Sequence, residues 1–157
     1  ATEFTIAPYC LKVFKQRWYV LAESEHDDKQ LRIYSLDRFI KMERTGEKYI
    51  IPKKFDMYEH FFSYYGVTSG GNTRKEMVRL KANALQSKFL RTLPLHPTQK
   101  EVEMTDEYTI FEYYLIPTLE FRKELLSCGP AVEVLSPQSL RDEMRTQIQE
   151  MVDMYKA

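Results

Sequence analysis

The sequence predicts an α+β chain: a small closed β-barrel, a joining helix, and a ferredoxin-like unit with a C-terminal helix. Three observations carry this. Five short strand-like stretches crowd the first 54 residues and are joined by tight turns, as in small all-β barrels. The period then becomes helical, with Tyr58, Phe61, Phe62 and Tyr65 on one stripe and Gly66 placed as a C-terminal cap. Beyond that, strands and helices follow in the order β-α-β-β-α-β of a split ferredoxin-like unit. The implied organisation is 1–54 barrel, 55–66 linker helix and 67–157 ferredoxin-like extension.

In the barrel, Tyr9–Phe14 alternates, so that Cys10, Lys12 and Phe14 face one way and Tyr9, Leu11 and Val13 the other. Lys15-Gln16 is the hairpin break, its turn type left open because no Asn-Gly or Asp-Gly is present. Arg17–Ala22 is apolar on both faces from Trp18 onward, which suits a central strand. A charged loop containing His26 follows, then Gln30–Ser35, with Leu31 and Ile33 on one face and Arg32 and Tyr34 on the other. Phe39–Thr45 and Tyr49–Ile51 complete the five strands.

In the extension, Met77–Ala82 is a strand, and Asn83 caps a helix whose buried stripe is Leu85, Phe89, Leu90 and Leu93. Lys100–Thr105 and Tyr108–Ile116 form a hairpin about Asp106-Glu107, Thr118 caps the next helix, and Val132–Leu135 closes the sheet. Ser136 caps a last helix with Pro137 at its first position and a stripe of Leu140, Met144, Ile148, Met151 and Tyr155.

Composition bounds the function. Apolar residues make up 43% and aromatics 13% of the 157 residues, enough for packed cores. Net charge is zero, which argues against coating nucleic acid by bulk electrostatics. Residues 1–54 nevertheless carry +3 and the remainder −3, so the first part is the anion-facing one. Two distant cysteines, Cys10 and Cys128, give neither a disulfide framework nor zinc spacing, and a cytoplasmic location is the expectation. No apolar run approaches the roughly 18–20 residues that span a bilayer, so no membrane partner is expected. A chain opening on Ala within a strand approach suggests a piece of a longer protein.

Nothing in the chain assembles a catalytic motif. His26, His60 and His96 lack metal spacing, Gly70-Gly71 lacks the lysine of a phosphate loop, and Gly-x-Ser-x-Gly is absent. Neither enzyme activity nor a cofactor or metal is expected. Binding has more support: Arg32 and Tyr34 share a strand face, Arg38 follows at the strand's end, and Arg17 precedes Trp18-Tyr19. A guanidinium matches a phosphate, and aromatic rings stack on bases at roughly 1–3 kcal/mol each. The plainer reading of the same residues is a core tryptophan with solvated arginines around it.

The segments RWYVLA and LRIYSLDRFIKME resemble the WYL domain, with Trp18-Tyr19-Val20 in place of the Trp-Tyr-Leu triplet and Arg32, Tyr34, Leu36, Asp37 and Arg38 matching the downstream pattern. FDMYEHFFSYYGV resembles that family's linker helix, and LRTLPLHPTQKE and VEVLSPQSLRDEM resemble its C-terminal extension, WCX. The resemblance implies an Sm-like, SH3-type barrel and a ferredoxin-like extension from a bacterial transcription regulator. It further implies an upstream winged helix-turn-helix that reads duplex DNA, homodimers, and sensing of single-stranded nucleic acid or a nucleotide-like anion by the barrel. Carried over, Arg32 and Arg38 anchor phosphate, Tyr19 and Tyr34 stack or donate a hydroxyl, and Tyr9 lines the rim. Trp18, Val20 and Leu36 hold the core, while His96, with Lys100, approaches a ligand from the extension or simply fixes a Pro-flanked turn. The alternative from another class is a dimerisation module that binds no ligand.

Overall fold

A computed structural model describes residues 2–25, 30–67 and 74–156, so the expectations for His26 and Gly70-Gly71 lie outside the described residues. The chain forms two compact units, Ala1–His60 and Phe61–Ala157.

The first unit is built on an antiparallel sheet in the order β1-β2-β3, with β1 Ile6–Phe14, β2 Arg17–Ser24 and β3 Leu31–Ser35. Lys15 and Gln16 both have positive φ (46° and 65°), the signature of a type I′ hairpin turn. This settles the turn type: the strand twist imposes left-handed backbone even without Asn-Gly. The register slips between Pro8 and Cys10, a bulge in β1 opposite Leu21 and Ala22. Val20, Leu21 and Ala22 are buried in succession, so β2 is covered on both faces as its apolar run predicts.

The predicted closed barrel is corrected. Among the described residues three strands form, and 39–45 and 49–51 join no sheet. An alternating segment becomes a strand only when its apolar side finds something to cover. Here Ile40 and Ile50 are 86% and 88% exposed, between charged Lys41, Glu43, Arg44 and Lys48. The segment instead rests on the sheet by isolated contacts: Phe39 against Tyr34 (ring centroids 6.5 Å), Tyr49 Oη donating to Pro8 O (2.6 Å), and Phe55 edge-on to Tyr9 (5.0 Å). The joining helix, α1, spans Met57–Phe62, shorter than the predicted 55–66, and the boundary between the units falls inside it. Asp56 Oδ1 caps it by accepting from the amides of Tyr58 (2.7 Å) and Glu59 (3.0 Å).

The second unit has the predicted order: β4 Glu76–Asn83, α2 Ala84–Thr92, β5 Lys100–Met104, β6 Tyr108–Leu115, α3 Leu119–Ser127, β7 Val132–Ser136 and α4 Gln138–Met154. Its antiparallel sheet runs β5-β6-β4-β7. Asn83 caps α2 by accepting from Gln86 N (2.8 Å), and Thr118 caps α3 by accepting from Phe121 N (3.2 Å) while donating to Tyr65 O (2.8 Å). α4 begins one residue later than expected, with Pro137 at the cap position and no side-chain cap bond. One face of the sheet, including Val78, Leu80, Phe111 and Tyr113, packs on Leu90, Phe121, Leu125 and Leu140 of the helices. The predicted α2 stripe is corrected: Leu90 is buried, but Leu85, Phe89 and Leu93 are exposed, and Ser87 lies beneath the helix. Ser87 fits there because its hydroxyl donates back to Asn83 O (2.8 Å). In α4 the stripe is buried at Leu140 and Met144, then exposed at Ile148, Met151 and Tyr155.

Candidate functional site

The candidate residues of the first unit are positioned by the β2–β3 register, in which Tyr19 opposes Ser35, Val20 opposes Tyr34 and Ala22 opposes Arg32. Opposed residues share a face and successive residues alternate. Arg32 and Tyr34 therefore stand on the face of Trp18 and Val20, and Arg17 and Tyr19 on the other. Trp18 and Tyr19 do diverge, yet their burial departs from the expectation. Trp18 is 54% exposed rather than in the core, because its cross-strand neighbour Val13 is exposed as well and gives it no cover. Val20 is buried and Leu36 half-buried, as core positions should be. Tyr34 packs against Phe4 (5.5 Å between centroids) as well as Phe39, and Arg32 is exposed beside it.

A second group gathers at the end of β3, on the 3-10 turn Leu36–Arg38. Arg17 Nη1 lies 3.6 Å from Asp37 Oδ2, and Ser35 Oγ donates to the same carboxylate. The Ser35 hydroxyl, helped by the charges of Arg17 and Arg38, holds the Asp37 carboxyl below its usual range. Arg17, Asp37 and Arg38 are exposed, and such a pair contributes under about 1 kcal/mol to stability. What it does is hold one arginine in place near another, leaving net positive charge at this corner.

Tyr9 does not stay free on a rim. The β1 bulge turns it toward Glu23, whose Oε1 accepts from its hydroxyl (2.7 Å). Burial first, and then the Glu23 hydrogen bond, push its pKa up to about 12. Because the folded value exceeds the unfolded one near 10, this hydroxyl stabilises the fold below about pH 10, and the contribution is lost as pH rises toward 12. Tyr9→Phe should remove one late tyrosinate from an absorbance titration at high pH while leaving the rise below about pH 10.5 unchanged. An unchanged late phase would show that Glu23 does not hold this hydroxyl.

His96 lies in the second unit, buried, with both ring nitrogens engaged. Nδ1 accepts from Thr98 N (3.2 Å), which leaves the proton on Nε2 to donate to Phe62 O (2.8 Å). Of the two readings of this histidine, that arrangement is the one that fixes a turn. Among the described residues, no group of three or more His, Cys, Asp or Glu could hold a metal ion.

Residues 1–44 match the WYL domain, and residues 74–152 match the WCX domain. The chain belongs to the WYL–WCX family. The WYL match contains every candidate residue of the first unit, and the WCX match contains His96. No curated protein matches the chain in sequence. Among solved structures, Proteasome accessory factor B/C (PafBC) of Arthrobacter aurescens is 18% identical, covering 99% of this chain and 23% of its own, with a TM-score of 0.44. A CRISPR Cas-related protein is 16% identical, covering 96% of this chain and 43% of its own, with a TM-score of 0.38. The chain thus spans less than half the length of either. Within the WYL unit, sequence reading missed the Tyr9–Glu23 bond, because a bulge leaves no mark in alternation. The Ser35–Asp37–Arg17 link was legible only as the spacing of a serine two residues before an aspartate.

Proposed function

We propose that this chain is the effector-sensing region of a bacterial WYL-family transcriptional regulator. Its WYL unit takes single-stranded nucleic acid or a nucleotide-like anion. The observation that carries this is an exposed Trp18 on the same sheet face as Arg32 and Tyr34, with Arg17 and Arg38 at the adjoining end. An open indole offers a stacking surface, and the arginines supply phosphate-matching donors. Duplex DNA is contacted by a separate winged helix-turn-helix domain of the whole protein, which works as a cytoplasmic homodimer. Effector binding acts by its differential affinity for two states of that dimer.

The test is fluorescence anisotropy with labelled single-stranded DNA, single-stranded RNA and duplex across a salt series. Single-strand affinity should fall by roughly 0.7 log units per phosphate contact for each decade of salt. It should drop at least about tenfold in Arg32→Ala/Arg38→Ala, the loss of about 1.4 kcal/mol. Wild-type affinity in the double variant would reject the assignment. A second reading, a dimerisation module with no ligand, is favoured by the exposed Ile148, Met151 and Val152 along α4 and Tyr155 at its C-cap. It requires self-association with no oligonucleotide binding in either protein.

A further inference from the structure

We propose that the open face of the WCX sheet is a second binding platform for single-stranded nucleic acid, distinct from the site on the WYL unit. The core takes Val78, Leu80 and Ala82 from β4 and Phe111, Tyr113 and Leu115 from β6. Strand alternation then puts Met77, Arg79 and Lys81 of β4 on the opposite face, with Tyr108, Ile110, Glu112 and Tyr114 of β6, of which Ile110 is buried. These are the two central strands of the sheet, so their outward side chains form the middle of that face.

Its layout is regular. Tyr108 and Tyr114 are six residues apart on one strand, about 20 Å at 3.3 Å per residue. Each ring has a lysine over it: Lys81 Nζ is 4.2 Å from the Tyr108 centroid, and Lys75 Nζ is 6.0 Å from that of Tyr114. Tyr114 remains half exposed. At the Tyr108 end, Lys81, Asn83 and Glu133 help line a hollow of about 200 Å³. Between the rings lie Arg79 and Lys100, both beside Glu112 in the strand register.

Charge decides the occupant. Two acids at this face are neutralised by ion pairs, while Glu103, bonded to a neutral hydroxyl, and Glu107, at the hollow, keep their charge. Glu112 pairs with Arg79 (3.2 Å), Glu103 accepts from the Tyr108 hydroxyl (2.6 Å), and Glu133 pairs with Arg141 (2.8 Å). Among the described residues, Lys75, Lys81 and Lys100 form no ion pair, and these three cations outweigh the carboxylates of Glu103 and Glu107, so the balance is positive. A second copy of the chain laid on this face would set these lysines against themselves. A single strand instead brings phosphates for the lysines and base faces for the rings, and duplex bases are stacked out of reach. Stacking does not depend on the sugar, so single-stranded DNA is a sufficient probe.

The test uses the whole chain and a fluorescein-labelled oligothymidylate of about 12 nucleotides, long enough at about 3.4 Å or more per nucleotide to pass both rings. Tyr114→Ala/Lys81→Gln, checked for native circular dichroism, should bind at least about tenfold more weakly with a shallower salt slope. That loss should persist in an Arg32→Ala/Arg38→Ala background, which separates this platform from the WYL-unit site. Ultraviolet cross-linking of the unaltered protein, read by mass spectrometry, should label peptides containing Tyr108 or Tyr114. Cross-links confined to residues 2–60, wild-type affinity in Tyr114→Ala/Lys81→Gln, or equal binding of a duplex would each overturn the proposal. If only Arg32→Ala/Arg38→Ala loses affinity, the WYL-unit site stands and this one falls.

Discussion

Phe121→Ala is expected to lower the stability of the WCX unit by about 3–5 kcal/mol, the usual cost of emptying a phenylalanine site in a core. Phe121 is fully buried, with the rings of Tyr65 and Tyr113 edge-on to it at centroid distances of 5.6 and 6.2 Å. Its ring thus fills the centre of an aromatic group between helix and sheet, where backbone cannot collapse into the gap. Two hydrogen bonds make the site stiffer: the Phe121 amide is held by the Thr118 cap, and the Tyr113 hydroxyl donates to Gln99 Oε1 (2.9 Å). Urea unfolding followed by far-ultraviolet circular dichroism should show the loss. The emission of Trp18, the sole tryptophan, should keep its own midpoint, since it reports the other unit. A shift below about 1 kcal/mol would mean that the core is not organised around this ring.

The contrast between the two units explains what sequence reasoning could reach. In the WCX unit, caps and turns are local chemistry. Asn83 and Thr118 are small polar residues directly before apolar runs, and both accept from the amides that a capped helix start leaves over. Four strands of the unit follow from local alternation in the same way. Periodicity is less informative about which side of a helix meets the sheet. Leu85, Phe89 and Leu93 form a flawless 4-4 row, yet the turn leaving Asn83 rotates Ser87 and Leu90 inward. In the WYL unit the same alternation at 39–45 promised a strand, but strand formation there depends on partners that no local signal specifies.

The candidate site was legible to a similar depth. Alternation correctly placed Arg32 with Tyr34 and separated Trp18 from Tyr19. It failed for Tyr9, because one residue of bulge reverses the parity of everything before it. It failed again for Trp18, since exposure depends on what covers a face and not on which face a residue takes. Arg74, Lys75, Arg79 and Lys81 lie within eight positions of one another in the chain. Only the sheet brings Tyr108 and Tyr114, more than 25 positions later, beneath two of those lysines.

Leu21→Ala should be the most damaging change in the WYL unit, at about 2–5 kcal/mol by the cost of truncating a buried leucine. Leu21 sits mid-strand on β2, opposed by Cys10 on one side and Ile33 on the other, in the most buried stretch of this unit. That stretch is short: Val20, Leu21 and Ala22 are its fully covered apolar side chains among the described residues. A unit of about 60 residues is marginal in size for a stable core, so a loss of this magnitude approaches the whole of its stability. The expected result is a Trp18 emission profile close to that of the unfolded chain without urea, with the WCX transition still cooperative in circular dichroism. Binding measurements then gain a control. With the WYL unit unfolded, oligonucleotide affinity that survives in Leu21→Ala and is lost on adding Tyr114→Ala belongs to the WCX sheet. A native-like Trp18 transition in Leu21→Ala would instead show that β2 is not the strand on which this unit depends.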